Sequence, residues 1–373
     1  MLTPEHFLLI IACITFSGII IESIYSKIYK KGWYDLDDFF SNIGISSGHL
    51  YWGLIITPII LGGYQYIYLS WGYKGLSSIL PKWAFLILGY LLTDFIVYWN
   101  HRLSHRINYL IAGHITHHSS ENFNLSTSIR INWIYRGYSW IIFTVLAFIG
   151  YDLKYFLLFQ TIINAYNAIC HTRFQLPALG VLRYIFVTPT FHQIHHCSND
   201  EYYDKNFGGS LIIWDRIFGT FADKVPKLEY KFGLKSNINS HDISWLNYHY
   251  FTEVFNKSGK KATVFLKNIF NVPSGETRNV TKVSKVRRSG VYIFSYSLIV
   301  VILFTLGAFL NSYKDFLNWR LSVLSVVVFS LFTLYLPVIL NALILFIEKS
   351  VIKPFNHILA FFHIEKLSNR GEK

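Results

Sequence analysis

Nine histidines carry the chemistry to be expected of this sequence. His101 and His105 stand four apart in HRLSH, and His114, His117 and His118 follow in HITHH. His171 stands alone, and His192, His195 and His196 repeat the HxxHH spacing in FHQIHH. On a helix, residues three and four apart lie on one face about a turn from each other. Imidazole is the commonest metal ligand and binds in its neutral form. Nine ligands are too many for one metal but fit two, each with four or five nitrogens and room for an oxygen species. A merely solvated face would use Lys, Glu or Ser instead, and a single HxxxH would mean little. Three clusters, two of identical spacing, point to a metal site.

The elements that position these side chains read as membrane helices. The 373 residues are 52% hydrophobic and 18% aromatic, with only 15% charged, against about 25% charged in soluble domains. Apolar runs at 5–24, 43–69, 83–100, 133–150, 155–170, 291–311 and 321–346 predict about seven spans. The expected fold is therefore an all-α integral membrane bundle with a cytoplasmic helical cap that carries a histidine-rich di-metal site. Segments 25–42, 101–131, 172–289 and 347–373 would share one side. Their Lys and Arg residues make that side cytoplasmic, and every histidine of the set falls there. The net charge of +13 fits basic loops facing anionic lipid. No segment has a nucleic-acid-binding pattern, so no nucleic-acid partner is expected. Four regions follow: N-terminal spans at 1–82, a catalytic region at 83–222, a basic cytoplasmic segment at 223–289, and C-terminal spans and tail at 290–373. The N-terminus lacks a signal-peptide pattern, so the first run is expected to be retained. Cys13, Cys170 and Cys197 form no CxxC, and no disulfide is expected. Cys170 and Cys197 each flank a histidine of the set, and thiolate ligation by Cys197 is the lesser reading.

Asp94 is a carboxylate late in a membrane span, where such groups are expensive and usually functional. It lies two turns before His101 and is expected to accept the second N–H of a ligand imidazole. A hydrogen bond to Tyr98 or Trp99 is the plainer alternative. Two histidine-bound metals at a membrane surface suit oxygen activation, with an apolar substrate entering from the bilayer and electrons from the aqueous side.

HRLSH, HITHH and FHQIHH, over roughly 90–222, together resemble the fatty acid hydroxylase/sterol desaturase superfamily of integral-membrane di-iron oxygenases. DFIVYWNHRLSH, HHSSENFNLSTSIR and DKNFGGSLIIWDRIFGTF are most like the branch containing alkylglycerol monooxygenase. The resemblance implies two iron ions held by His101, His105, His114, His117, His118, His171, His192, His195 and His196. It also implies O2 as oxidant, a membrane lipid as substrate and, in that branch, tetrahydrobiopterin as reductant. Glu121 reads as a carboxylate behind the ligands or as part of a pterin site, and Asn124 and Asp204 as similar candidates. Against each stands an ordinary loop or capping role. Trp214, Asp215, Arg216 and Gly219 are expected to seal the cap. The expected reaction is hydroxylation or desaturation of a lipid C–H bond, with cleavage of an alkylglycerol ether as one form. Two other readings compete: a sterol or fatty-acyl hydroxylase or desaturase fed by a separate electron-transfer protein, and a metal-binding membrane transporter. Transporters place ligands near mid-membrane, whereas these lie at span ends.

Overall fold

The computed structural model describes residues 4–174, 180–225 and 227–272, all within one compact unit, 1–305. Twelve helices run through the described residues. They are α1 (Pro4–Ile28), α2 (Leu36–Trp71), α3 (Leu76–Ile79), α4 (Lys82–Ser104), α5 (Asn108–His118) and α6 (Tyr135–Ser139), followed by α7 (Thr144–Ile149), α8 (Leu153–Cys170), α9 (Pro189–His196), α10 (Ile213–Ile217), α11 (Ile243–Lys257) and α12 (Ala262–Ile269). No β-strand occurs among them, only the isolated bridges Phe186–Leu211 and Cys197–Phe232. The all-helical class is as expected.

Local sequence starts and stops these helices in ordinary ways. The side chains of Asp35, Asp152 and Asp242 cap α2, α8 and α11 by accepting from backbone N–H groups two or three residues on. Thr188 does the same for α9, with Pro189 in the first turn, where a missing N–H does no harm. Gly150 ends α7 at φ 115°, and a Cβ there would come within 2.1 Å of the Tyr73 carbonyl oxygen. Only glycine fits both demands.

Of the spans expected from hydropathy, α4 is the one helix among the described residues long and apolar enough to cross a membrane. The 5–24, 43–69 and 155–170 runs fall within α1, α2 and α8. The 133–150 run is not one helix: it is divided into α6, a 3-10 turn at Ile141–Phe143, and α7. Its first residues are held in a turn, because Asn247 Oδ1 takes the Trp133 N–H and Asn132 Oδ1 that of Ile134, each at 3.0 Å. The two C-terminal runs lie outside the described residues.

Tyr64, Phe85, Leu146, Phe156 and Phe159 form a core between α2, α4, α7 and α8. Ile111, Ile115, Trp133, Leu246 and Tyr250 pack α5 against α11. Thr116 Oγ1 and Asn132 Nδ2 also donate to the carbonyls of Leu246 and Asn247. The described part of 223–289 is thus folded onto the histidine-bearing helix. Ile20, Ile21 and Ile24 on α1, Ile59 and Leu69 on α2, Ile87 on α4, and Leu157, Leu158 and Ile162 on α8 are exposed. Apolar surface on this scale calls for a covering phase.

Candidate metal centre

All nine histidines lie toward, or just past, the C-terminal ends of four helices: α4 (His101, His105), α5 (His114, His117, His118), α8 (His171) and α9 (His192, His195, His196). Helix C-termini carry partial negative charge and favour cations. The histidines divide into two groups. His101, His105, His114, His118 and His195 form one, and His117, His171, His192 and His196 the other. Within each group the candidate ligand atoms all lie within 4.8 Å of one another. The groups adjoin, with the rings of His118 and His196 stacked at 4.4 Å between centroids.

The spacing is that of a ligand shell. Nε2 atoms follow each other at 3.1, 3.0 and 3.1 Å along His101, His114, His118 and His195. The His117–His171 and His171–His192 pairs stand at 3.1 and 3.0 Å. Two nitrogens bound at about 2.1 Å and about 90° apart would stand about 3.0 Å from each other.

Tautomers sharpen this fit. His171 Nδ1 faces the Asn167 carbonyl at 2.9 Å, and His117 Nδ1 faces that of Arg130 at 3.3 Å. A carbonyl only accepts, so both Nδ1 atoms carry the proton and both Nε2 atoms present lone pairs. Those lone pairs point at each other across 3.1 Å. His101 and His195 are set in the same way by the carbonyls of Phe207 and Lys205, each at 2.9 Å. His196 Nε2 is buried and has no hydrogen-bond partner among the described residues. Burial holds His114, His117, His118, His192, His195 and His196 well below the ordinary imidazole range, and neighbouring imidazoles push the same way. It takes His171 down to about 4. All seven are neutral at pH 7, the form a metal needs. The residues present therefore fit a pair of metal ions.

The surroundings differ from expectation at Asp94. Asp94 does not orient His101. It accepts from Ser210 N at 2.8 Å, Trp214 Nε1 at 2.9 Å and Leu211 N at 3.3 Å, and also from Ser210 Oγ. A buried carboxylate takes the nearest donors, and a loop of the cap supplies them. Asp215 anchors the start of that loop by accepting from Phe207 N at 2.7 Å and Gly208 N at 2.8 Å. The two aspartates thereby place the Phe207 carbonyl that faces His101. Asn124, expected at a cofactor, is committed elsewhere. Its side chain accepts from Ser126 N and donates to Trp33 O and Asn122 O, at 2.8–2.9 Å. Glu121 is exposed and belongs to neither histidine group; Asp38 and Asp35 add to partial burial in raising its carboxyl.

Asp204 Oδ1, by contrast, lies 3.5 Å from His105 Nδ1, so a cap aspartate stands where Asp94 was expected. Cys197 lies in neither group, and burial pushes its thiol up to about 12. A phenylalanine ring spans three histidines of each group: Phe207 packs on His101, His105 and His195, and Phe123 on His171, His192 and His196. Arg130 had no signal in the sequence, because a lone arginine reads as surface. It is 1% exposed and joins Asn42 and Asp38 of α2 to Thr116 O and Ser119 at the end of α5. Its own carbonyl faces His117. A pocket of about 60 Å³ reaches both groups, lined by His105, His118, His195 and His196 together with Tyr203 and Asp204.

Residues 86–220, which contain every histidine of the two groups, match the family model described as fatty acid hydroxylase. The match covers a little over a third of the chain. The chain is 39% identical to alkylglycerol monooxygenase from Xenopus tropicalis over 166 residues, 43% of this chain and 34% of that protein. It is 35% identical to the Homo sapiens alkylglycerol monooxygenase over 227 residues, 59% of this chain and 48% of that one. Ornithine lipid hydroxylase OlsE from Rhizobium tropici is 24% identical over 180 residues, 48% of this chain and 53% of that one. The chain spans about a third to a half of the length of these alkylglycerol monooxygenases. No solved structure matches it. The matched stretch comprises α4 to α10 almost entirely, while α1, α2 and α11 pack around it from outside.

Proposed function

We propose that the protein is a multi-pass membrane monooxygenase that uses two histidine-bound iron ions and O2 to hydroxylate a lipid C–H bond. The observation that carries this reading is the pair of converging imidazole groups whose lone pairs face each other within the matched hydroxylase stretch. Bound iron would supply the redox chemistry that activates O2. The overall reaction is R–H + O2 + 2e⁻ + 2H⁺ → R–OH + H2O. The chain's own residues do the rest. Neutral imidazoles leave the metal charge uncompensated, which favours anionic oxygen species. Phe123 and Phe207 wall the two groups with apolar surface and exclude water. Asp94 and Asp215 hold the 207–214 loop, and with it the tautomer of His101. The outward apolar faces of α1, α2, α4 and α8 would lie in lipid, with the histidine groups at the cytoplasmic ends of the helices.

The similarity to alkylglycerol monooxygenases favours an ether lipid as substrate. Hydroxylation of the carbon next to the ether oxygen gives a hemiacetal, which collapses to an aldehyde and an alcohol. The likeness to an ornithine lipid hydroxylase favours a second reading, hydroxylation of an acyl lipid that stays intact. The two electrons would come from tetrahydrobiopterin or from a separate electron-transfer protein. Protein purified without oxygen and loaded with ferrous iron should hold two irons per chain. It should consume O2 only with a lipid substrate and either tetrahydrobiopterin or a reduced electron-transfer protein. Aldehyde release from an alkylglycerol supports ether cleavage; a hydroxylated acyl lipid supports the second reading. Metal uptake into vesicles with no O2 consumption would overturn both.

A further inference from the structure

We infer that Glu22, on α1 and outside the matched hydroxylase stretch, is a positioning residue for the four-nitrogen histidine group. The inference rests on the two-metal reading above. Glu22 is fully buried in a largely apolar run, where a carboxylate must be satisfied by nearby donors. Its Oε2 accepts from Tyr34 Oη at 2.7 Å and Leu125 N at 2.8 Å. Its Oε1 accepts from Thr172 Oγ1 at 2.6 Å and Arg173 N at 2.8 Å. One carboxylate thus ties α1 to the two residues that follow His171 and to the segment that follows Phe123.

Both contacts lead to the same histidine group. The end of α8 is loosely closed by its own backbone, with His171 N to Ala168 O at 3.2 Å and Thr172 N to Ile169 O at 3.4 Å. Glu22 supplies an outside clamp one residue past the ligand. The Thr172 carbonyl in turn accepts from Gln193 Nε2 at 2.9 Å, and Gln193 is the residue beside His192. Arg173 Nε donates to the Phe123 carbonyl at 2.8 Å, and the Phe123 ring lies against His171, His192 and His196. None of these bonds reaches His101, His105, His114, His118 or His195. Loss of the clamp should therefore weaken one metal site and spare the other.

The test is titration of the metal-free full chain in detergent micelles with Co²⁺, read by its d–d absorption and by bound metal per chain. Wild type should bind two ions. Glu22→Ala should keep one tight site and weaken the other 10- to 100-fold, the range seen when partners behind metal ligands are removed. Thr172→Val should weaken the same site less. The His195→Ala background, lacking one nitrogen of the five-nitrogen group, identifies which site is affected: adding Glu22→Ala should remove its remaining tight site. Glu22→Gln, which retains the shape and one acceptor oxygen, serves should the alanine variant not fold. Equal weakening of both sites, or of neither, in a folded Glu22 variant overturns the inference. Fewer than two ions in wild type would instead bring down the two-metal reading, and this inference with it.

Discussion

Replacing Asp94 with asparagine tests how the 207–214 loop is held against the histidine groups. In the native fold Asp94 accepts four hydrogen bonds, three of them from groups in the Ser210–Leu211 backbone and the Trp214 indole. The asparagine oxygen can serve one side of that set. Its amide would then face the donors of the other side. With the oxygen toward Trp214 and Leu211, the Ser210 N–H loses its acceptor, while the Ser210 hydroxyl can turn to accept. One charge-assisted bond lost contributes about 1.5–3 kcal/mol, and the stranded N–H adds about 1–3 kcal/mol, so the whole change is on the order of 3–5 kcal/mol. Gly209 leaves little room for relaxation, since a Cβ there would lie 2.7 Å from Val97 and 3.0 Å from Ile163. The effect is to be read from equilibrium unfolding in mixed micelles, with bound metal measured on the same samples. Asp94→Asn should unfold earlier by that amount and lose metal chiefly from the five-nitrogen group, through the Phe207 carbonyl. A shift below about 0.5 kcal/mol, the usual range for a neutral surface change, together with unchanged metal content, would refute the assignment of this carboxylate to the loop.

Two further outcomes follow from the site. Histidines in the unfolded chain titrate near their ordinary value, whereas the buried ones resist protonation. The unfolded state therefore takes up protons that the fold refuses, and metal-free protein should lose stability as pH falls through about 6.5. For His171, held down to about 4, the loss approaches about 3 kcal/mol once pH reaches its folded value. Unfolding midpoints of chelator-treated protein should be level between pH 8 and 7 and fall steadily by pH 5; a level profile to pH 5 would contradict the buried, neutral assignment. Asn124→Ala removes the cap of the 3-10 turn at Leu125–Ile129 and should lower stability by about 1–2 kcal/mol, with bound metal unchanged. A raised requirement for tetrahydrobiopterin at unchanged stability would restore the cofactor role to this residue.

Much of the site was legible because its residue types are costly to place by chance. Nine histidines in three spaced clusters and one singlet announce metal binding, and apolar runs broken by Gly and Pro announce helices. The carboxylates were harder to read. Asp94 stands out because a charge within an apolar run must meet partners, but its partners come from residues more than a hundred positions later. Sequence distance carries no hint of them. The partners of Glu22 and Arg130 were hidden for the same reason: each is satisfied across helices that only folding brings together. The break in the 133–150 run was hidden as well, because the asparagine that captures Trp133 belongs to α11.

The HxxHH spacing determined by itself that the three imidazoles of each helix fan over about 100° of its surface, near enough to serve one side of it. At about 100° per residue, positions i and i+4 differ by about 40° and share a face, while i+3 stands about 100° from i+4. Which metal group takes the pair was decided only by tertiary placement. On α5 the pair, His114 and His118, joins the five-nitrogen group and His117 crosses to the other; on α9 the pair, His192 and His196, joins the four-nitrogen group and His195 crosses back. Helical periodicity is local and sits in the sequence. The exchange of single histidines between two facing helices depends on how those helices are rotated about their axes, and that is set by the packing of side chains far away in the chain.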